Sequence, residues 1–548
     1  MFPSQLQHTV VIAITLVGVV VKAQTENPRV PAAGGGCQVA KLIASDAESE
    51  DSFGRGVAIN GDLAVIGATN EGDSGGASHD GFGAAYVFRN GEHGWIEEAK
   101  LTASDGLRGT RFGRVISVSA DTIAVGVYMD NSAGTNTGAV YVFRHHTGGW
   151  YEEAKLTASD AESGDNFGWS VSLDGDRLAV GANLDDEQHI WAGSAYIFRR
   201  DRNGTPSDPM DDVWVEEVQL TADDAVLGAG FGESVSISGE TVVVGAPFRD
   251  DLCPHDFFCD SGAVYVFRYN GSTWVQDAKL FPFEPTAYER FGNAVHYNGE
   301  TIMIGPNWAG PVSGHPVTVY VFRHNNGLWV QEGALMASDA TFEDGFGFSF
   351  SISGETALIG AAGKDDAGRD SGTAYLFKHD QGEWVEAAKL TASDAAANAL
   401  FGVAVALDGE TALVGATRDA EAGRDAGAAY IIDRVTDEPD TDDDGVPDAC
   451  DNCREVPNSG QEDSNGNGIG DPCDPDTLLT SLAESVQGLD LPAGLANSLL
   501  AKLDATTAGS LAAFIHQVEA QAGKKIARDD ADGLIAAAQA IVDLLRGG

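Results

Sequence analysis

Basic residues are scarce in this chain. Lysine and arginine number 33 against 83 aspartates and glutamates, a formal net charge of −50. A protein that tracks a phosphate backbone needs a basic footprint, so nucleic-acid binding is excluded, and so is docking on an anionic membrane surface. Such a balance suits a soluble surface that binds cations or works in a salty medium. Long apolar runs are nearly absent. One covers residues 10–21, too short for a comfortable membrane span, and Val21-Lys22-Ala23 after it is a small-residue cleavage pattern. Residues 1–23 therefore read as a secretion signal cleaved after Ala23. Residues 1–9 contain no lysine or arginine, and an uncleaved N-terminal anchor is the other reading. Catalytic signatures are missing as well. There is no Gly-x-Ser-x-Gly, no His-Glu-x-x-His and no phosphate-binding glycine loop, and His145, His146, His189, His255 and His315 are scattered over unrelated loops. No enzyme activity is expected. Cysteines number six, an even count that implies disulfides in an exported chain; Cys253 and Cys259 are close enough in one loop to pair locally.

Glycine, by contrast, is plentiful at 68 residues, which with interspersed aromatics points to short strands and frequent turns. The dipeptide Phe-Gly recurs at Phe53, Phe112, Phe167, Phe231, Phe291, Phe346 and Phe401. Each copy runs into an alternating apolar stretch, then a tight turn such as Asn60-Gly61-Asp62, then a second apolar run ending in Gly-Ala or a variant. A variable acidic loop follows. It leads to a third strand marked by Tyr86, Tyr141, Tyr196, Tyr265, Tyr320, Tyr375 or Tyr430. A fourth carries Trp95, Trp150, Trp214, Trp274, Trp329 or Trp384. Four short strands form a sheet that cannot bury both faces alone; seven such sheets stacked radially bury one another and protect their edges.

The ends of the repeat favour a ring over an open solenoid. The first unit is preceded by Gln38-Val39-Ala40-Lys41-Leu42, which has no tryptophan, and the last stops at Arg434 without a fourth strand. If residues 38–42 supply that missing strand, the ring is latched. The expected fold is an all-β seven-bladed β-propeller over residues 38–434, then a calcium-binding loop linker over 437–474 and a small all-α helical bundle over 476–548. The Phe-Gly and Gly-Ala(-Pro) elements resemble the FG-GAP repeats of integrin α-subunits and of many secreted bacterial proteins. Repeats of the integrin type carry a calcium loop between these two elements. Here that connection is a tight turn, so calcium is not carried over to it.

Loops after the second and fourth strands share one face, and they are long and acidic. They include Asp185 and Asp186, Asp250 and Asp251, and Asp365 and Asp366, together with Ser-Asp segments ending in Asp46, Asp105, Asp160, Asp339 and Asp394. This face is expected to contact partners, directly or through cations; alternatively the Ser-Asp and Asp-Gly pairs simply make turns.

Past the propeller the composition shifts to Asp, Asn, Gly and Pro. Asp440, Asp442 and Asp444 precede Gly445, and Asp448 and Asp451 follow; the pattern returns at Asp463, Asn465, Asn467, Gly468, Asp471 and Asp474. Oxygens at alternate positions before a glycine let one loop wrap a cation that takes six to eight oxygen ligands, as Ca²⁺ does. Val446 and Ile469 are counted among the ligand positions. With Asn452-Cys453 and Asp471-Pro472-Cys473, the segment resembles a thrombospondin type 3 repeat. The resemblance implies Ca²⁺ as cofactor and a Cys453–Cys473 disulfide. Cys450 and Cys37 are then left over, and a Cys37–Cys450 bridge is expected.

Residues 476–548 are rich in Leu, Ala, Lys and Gln, with apolar residues at helical spacing such as Leu495, Leu499 and Leu503, or Leu511, Phe514 and Val518. Three or four short helices are expected. Ala522-Gly523-Lys524-Lys525-Ile526 and Ala531-Asp532-Gly533-Leu534-Ile535 resemble the FIMAH-type domain found at the ends of exported bacterial proteins. The expected function is calcium-dependent recognition or adhesion outside the cell, with an extracellular protein or glycan as partner. A polysaccharide-degrading enzyme and a structural cell-surface component are the alternatives.

Overall fold

The structure is a computed structural model that describes residues 30–31, 37–72, 81–91, 93–106, 108–202, 211–251, 260–283, 288–306, 317–433, 441, 453, 456, 470–503 and 507–547. Residues 38–433 form seven antiparallel sheets arranged as a ring, a seven-bladed β-propeller. Blade 1 runs from the axis outward as Phe53–Asn60, Leu63–Ala68, Ala84–Gly91 and Gly94–Leu101. Blades 2 to 6 repeat this order over 115–156, 170–220, 234–280, 294–335 and 346–390. Blade 7 takes Phe401–Asp408, Thr411–Ala416 and Ala428–Asp433 from the end of the repeat, and its outer strand is Cys37–Leu42. That strand pairs antiparallel with Ala428–Asp433, Leu42 opposite Ala429 and Gln38 opposite Ile432. The latch is therefore present. A short strand that the sequence did not announce, Val30–Pro31, pairs on its outside.

Two physical features make these residues a ring. The second strand of each blade is sandwiched between neighbours, and all of Leu63–Ala68 and Thr241–Ala246, made of Leu, Ala, Val, Ile, Thr and Gly, is buried. The Gly of each Gly-Ala element lies against the backbone of the next blade. A Cβ on Gly67 would overlap the Gly113 carbonyl, and one on Gly245 would overlap that of Gly292. Gly415 of blade 7 meets Gly54 of blade 1 in the same way, which closes the circle. The second feature is aromatic. The Phe of each Phe-Gly packs edge-on against the Tyr of its blade's third strand, as in Phe53–Tyr86 at 5.5 Å and Phe401–Tyr430 at 5.4 Å between centroids. Such pairs each contribute about 1 kcal/mol beyond the area they bury.

The residue before each of these phenylalanines has a positive φ in all seven blades, including Ser52, Arg111, Asn166, Arg290 and Leu400 at 54–59°. Non-glycine residues there cost about 1–2 kcal/mol each. The turn is held because the following Phe amide reaches the preceding blade: Phe53 to the Ala426 carbonyl at 2.9 Å, Phe231 to that of Ala192 at 2.8 Å.

Four helices follow: α1 (Pro475–Gly488), α2 (Ala493–Leu503), α3 (Ala508–Gln521) and α4 (Arg528–Gly547). They share one core of Leu479, Leu482, Val486, Leu499, Leu511, Phe514, Val518, Ala538 and Ile541. Asp529 and Asp530 stand in the first turn of α4, where the helix dipole favours them. The Cys453–Cys473 disulfide is present, with Cα atoms 5.6 Å apart. The Cys253–Cys259 and Cys37–Cys450 pairings, the signal segment 1–23, and all the expected calcium ligands except Asp471 and Asp474 lie outside the described residues or, for Cys37, outside the described side chains.

A glycine comparison tests the ring contact. Gly245→Ala forces a methyl into backbone and should cost about 3 kcal/mol, the upper range for overpacking. Gly239→Ala has open space around it and bears only its φ of 58°, about 1 kcal/mol. Urea midpoints of the two variants should separate accordingly.

Candidate functional site

The acidic face is built from a clamp that recurs around the ring. In blade 2 the Tyr141 hydroxyl donates to Asp105 at 2.6 Å and Asp130 at 3.0 Å, and Lys155 donates to Asp105 at 2.5 Å and Asp130 at 2.8 Å. Asp105 arrives on the loop from the preceding blade, Asp130 on the loop after the second strand. Blade 1 repeats it with Tyr86, Asp46, Lys100 and Glu71, blade 4 with Tyr265, Asp224, Lys279 and Asp251, and blade 6 with Tyr375, Asp339, Lys389 and Asp366. In blade 7 the lysine comes from the latch: Lys41 holds Asp394 at 2.5 Å and Asp419 at 2.9 Å, beside Tyr430. Blade 3 uses Gln219 in place of lysine, and in blade 5 Tyr320 donates to Glu289. A second bond pins the same loops. Ser45, Ser104, Ser159 and Ser338 give their amide and hydroxyl protons to Glu97, Glu152, Glu216 and Glu386 of the adjoining outer strand.

These contacts assign most of the expected binding carboxylates to the scaffold. Asp185 is buried and accepts the Tyr196 hydroxyl at 2.7 Å. Asp250 accepts the Asp260 amide, Asp251 pairs with Arg249 and Lys279, Asp365 accepts the Asp370 amide, and Asp366 takes Thr373 and Lys389. Asp186 is exposed. Burial opposes ionisation of Asp105, but the bonds from Lys155 and Tyr141 outweigh it and hold the carboxyl below its ordinary range. Asp339 is pulled down to about 2 against burial by Lys389, Tyr375 and Lys364. Asp165 goes the other way. Burial pushes it up to about 6 despite its bond from the Glu162 amide, and Asp185 and Asp186 add to the rise.

Near the axis the inner strands are zipped by side chains accepting amides of the next blade: Ser117 from Leu173, Ser236 from Tyr297, Ser351 from Leu407. In blade 5 the acceptor is His296, whose Nδ1 takes the Ile352 amide at 3.1 Å while burial pushes its pKa down to about 4. It is a neutral structural group.

One ring position departs from this uniformity. The residue directly after Phe-Gly lies within the first three residues of the inner strand or immediately before it, and the seven are Arg55, Arg114, Trp169, Glu233, Asn293, Phe348 and Val403. Around the first four a cluster forms. The Arg114 guanidinium lies 4.8 Å from the Trp169 ring and 5.1 Å from that of Tyr128, and donates to the Tyr128 hydroxyl at 2.8 Å. Tyr128 and Trp169 meet edge to face at 4.7 Å. Asn183 donates to Glu233 at 2.7 Å. Burial pushes the Glu233 carboxyl up, with Asn183, Trp169, Arg114 and Arg290 pulling against it. Arg55 sits beside this group with its pKa lowered to about 10, by burial first and then by the charges of Arg114 and Arg111. Among the described residues none of Arg55, Arg111 and Arg114 has a carboxylate within ion-pair distance. The sequence reading missed this cluster because it looked for motifs within a repeat. The signal was the divergence between copies at one register position.

The FG-GAP repeat model matches residues 37–88, 95–143, 150–198, 214–267, 329–377 and 384–432, more than half of the chain. The chain belongs to the FG-GAP repeat family. The six matched FG-GAP units leave out 268–328, which carries the inner three strands of blade 5, where His296 and Glu289 replace the usual residues. No curated protein matches the chain. Among solved structures it is similar to the crystal structure of Saccharomyces cerevisiae Sqt1, with 11% identity over 73% of this chain and 99% of that one and a TM-score of 0.37.

Two outcomes are expected. Lys155→Met leaves the buried Asp130 carboxylate without its cation and should cost about 2 kcal/mol at pH 7. Because the folded pKa values of Asp105 and Asp130 lie below the unfolded one, that cost is present above pH 4 and should shrink as pH falls toward 2. Asp165 has a folded pKa above the unfolded one, so its contribution is present below pH 4 and lost as pH rises through about 6. Asp165→Asn should therefore gain on the native chain between pH 4 and pH 7 by about 2 kcal/mol, read from thermal melts across that range.

Proposed function

We propose that this protein is a calcium-dependent recognition protein working outside the cell, which binds an extracellular protein or glycan through the long-loop face around the propeller axis. The observation that carries this reading is the divergence at the position after Phe-Gly. Most blades repeat the same clamps and contacts; at that position seven unlike side chains stand, and those of Arg114, Trp169 and Glu233 join one cluster with Tyr128 and Asn183. A rigid ring that displays unlike groups at one end is suited to selecting a ligand. The clamps also speak against the polysaccharide-degrading alternative, since Asp105, Asp185, Asp251 and Asp366 are committed to tyrosine, lysine or arginine partners in the scaffold.

Calcium belongs to the linker in this reading. The donor set there, Asp440, Asp442, Asp444, Asp448, Asp451, Asp463, Asn465, Asn467 and Asp471, is all oxygen, as a hard cation requires. The segment resembles a thrombospondin type 3 repeat, and its Cys453–Cys473 disulfide ties residues on either side of Asp463, Asn465 and Asn467 in the sequence. Asp474 has a further role. Its Oδ2 accepts the Thr477 hydroxyl at 2.7 Å and caps the start of α1, so the segment passes directly into the helical module. That module resembles the FIMAH type. The N-terminal segment would export the chain. Bound Ca²⁺ would neutralise clustered carboxylates and stiffen the spacer between propeller and helices.

Calorimetry on EDTA-treated protein should show Ca²⁺ binding, and Asp442→Asn with Asp444→Asn should abolish binding at the first copy; no binding heat in the native chain would overturn the linker assignment. A glycan and protein array probed with and without Ca²⁺ should return a ligand. Turnover of a polysaccharide would defeat the binding-only reading.

A further inference from the structure

The mouth cluster has a chemistry of its own. In a chain with 33 basic and 83 acidic residues, arginines are expected to find carboxylates, and Arg89, Arg144, Arg200, Arg249 and Arg323 do. Arg55, Arg111 and Arg114 instead stand near one another. Gly56 lies against the Arg114 backbone, so the first and second inner strands bring Arg55 and Arg114 side by side. Like charges at this range repel, and partial burial makes the repulsion stronger. Nothing in the packing requires it, since Val403 and Phe348 serve at the same register position in blades 7 and 6. Guanidinium groups with no carboxylate at ion-pair distance among the described residues are the type that binds carboxylates in a planar two-point fashion.

Next to the guanidiniums come the Tyr128 and Trp169 rings, and beyond them the Glu233–Asn183 pair. Rings offer flat apolar surface to the carbon faces of a sugar, and a carboxylate beside an amide accepts and donates hydrogen bonds to hydroxyls. An acidic peptide would use the arginines but offers no ring hydroxyls to the Glu233–Asn183 pair. A neutral sugar would use the rings and Glu233 but leave the arginines unpaired. Densely charged polyanions are disfavoured by the field of the whole protein at −50.

Resting on the recognition reading above, we propose that the axial mouth formed by Arg55, Arg114, Tyr128, Trp169, Glu233 and Asn183 binds a uronic acid unit of a saccharide, its carboxylate on the two arginines and its ring and hydroxyls toward the aromatic and Glu233 side.

The test uses the full chain, calorimetry and three probes: trigalacturonate, its methyl ester, and triglutamate. Trigalacturonate should bind. Methyl esterification, Arg55→Gln or Arg114→Gln should each weaken it by about tenfold or more, and raising the salt concentration should weaken it further. Triglutamate should bind more weakly than trigalacturonate. Arg55→Gln should melt no lower than the native chain, because it removes a repelled charge. Equal binding of ester and acid, unchanged binding by Arg55→Gln, tighter binding of triglutamate, or a lower melting temperature for that variant would each overturn the proposal. Absence of trigalacturonate binding would also overturn it; the recognition reading would then stand or fall on the array, where a different ligand can still appear.

Discussion

Backbone meets backbone between every pair of blades, and the rest of the molecule follows from that contact. A glycine at the end of each second strand lies on the Phe-Gly backbone of the next blade, so close that a single methyl group would collide. This sets the spacing of the sheets, and the same contact between Gly415 and Gly54 sets their number. With the spacing fixed, the side chains between blades must fit a narrow slot. Hence the run of Ala, Val and Leu in the second strands and the edge-on aromatic pair beside it. A ring of this kind cannot relax one interface without opening another, which is why the last blade borrows its outer strand from the start of the chain.

The excess of negative charge looks different once the ring is in place. Many of its aspartates are partners, each shared between a tyrosine on one strand and a lysine on the next. Lysine and tyrosine together satisfy two oxygens of a carboxylate whose loop would otherwise swing free. The gain from each exposed pair is small, but in blades 1, 2 and 6 the clamps and the serine–glutamate bonds act on the same described loops. The scarcity of basic residues then matters: lysines that occupy clamps are not available elsewhere, and a cluster of arginines outside any clamp stands out.

The fold was legible because it repeats. Seven Phe-Gly pairs imply the blade count, and the missing tryptophan strand at one end matches the unpaired segment at the other, so residues 38–42 are assigned from sequence to the strand observed as Cys37–Leu42. The helical spacing of Leu495, Leu499 and Leu503 and the acidic start of α4 were readable for the same reason: period and dipole are local. Val30–Pro31 was not, since two residues carry no period. The site was harder. Asp185 and Asp251 look like surface ligands in a linear reading, yet their fate depends on Tyr196 and Lys279, which come from strands further along the chain. The mouth cluster brings together residues from four consecutive blades and two loops, and no spacing within one repeat marks them.

Repetition explains why such a cluster would sit at the axis. Along a blade each position is copied seven times and meets copies of itself, so a change in one unit is buffered by six unchanged ones. The start of the inner strand is where side chains from several blades converge on shared space, and one substitution per repeat is enough to build an unlike set. Arg55 and Arg114 cost the free protein some repulsion there. A neighbouring blade shows the same position filled by Val403 without any such charge. A charged pair that the scaffold does not need, placed at a point where the copies cease to match, is the arrangement that the proposed anion site requires.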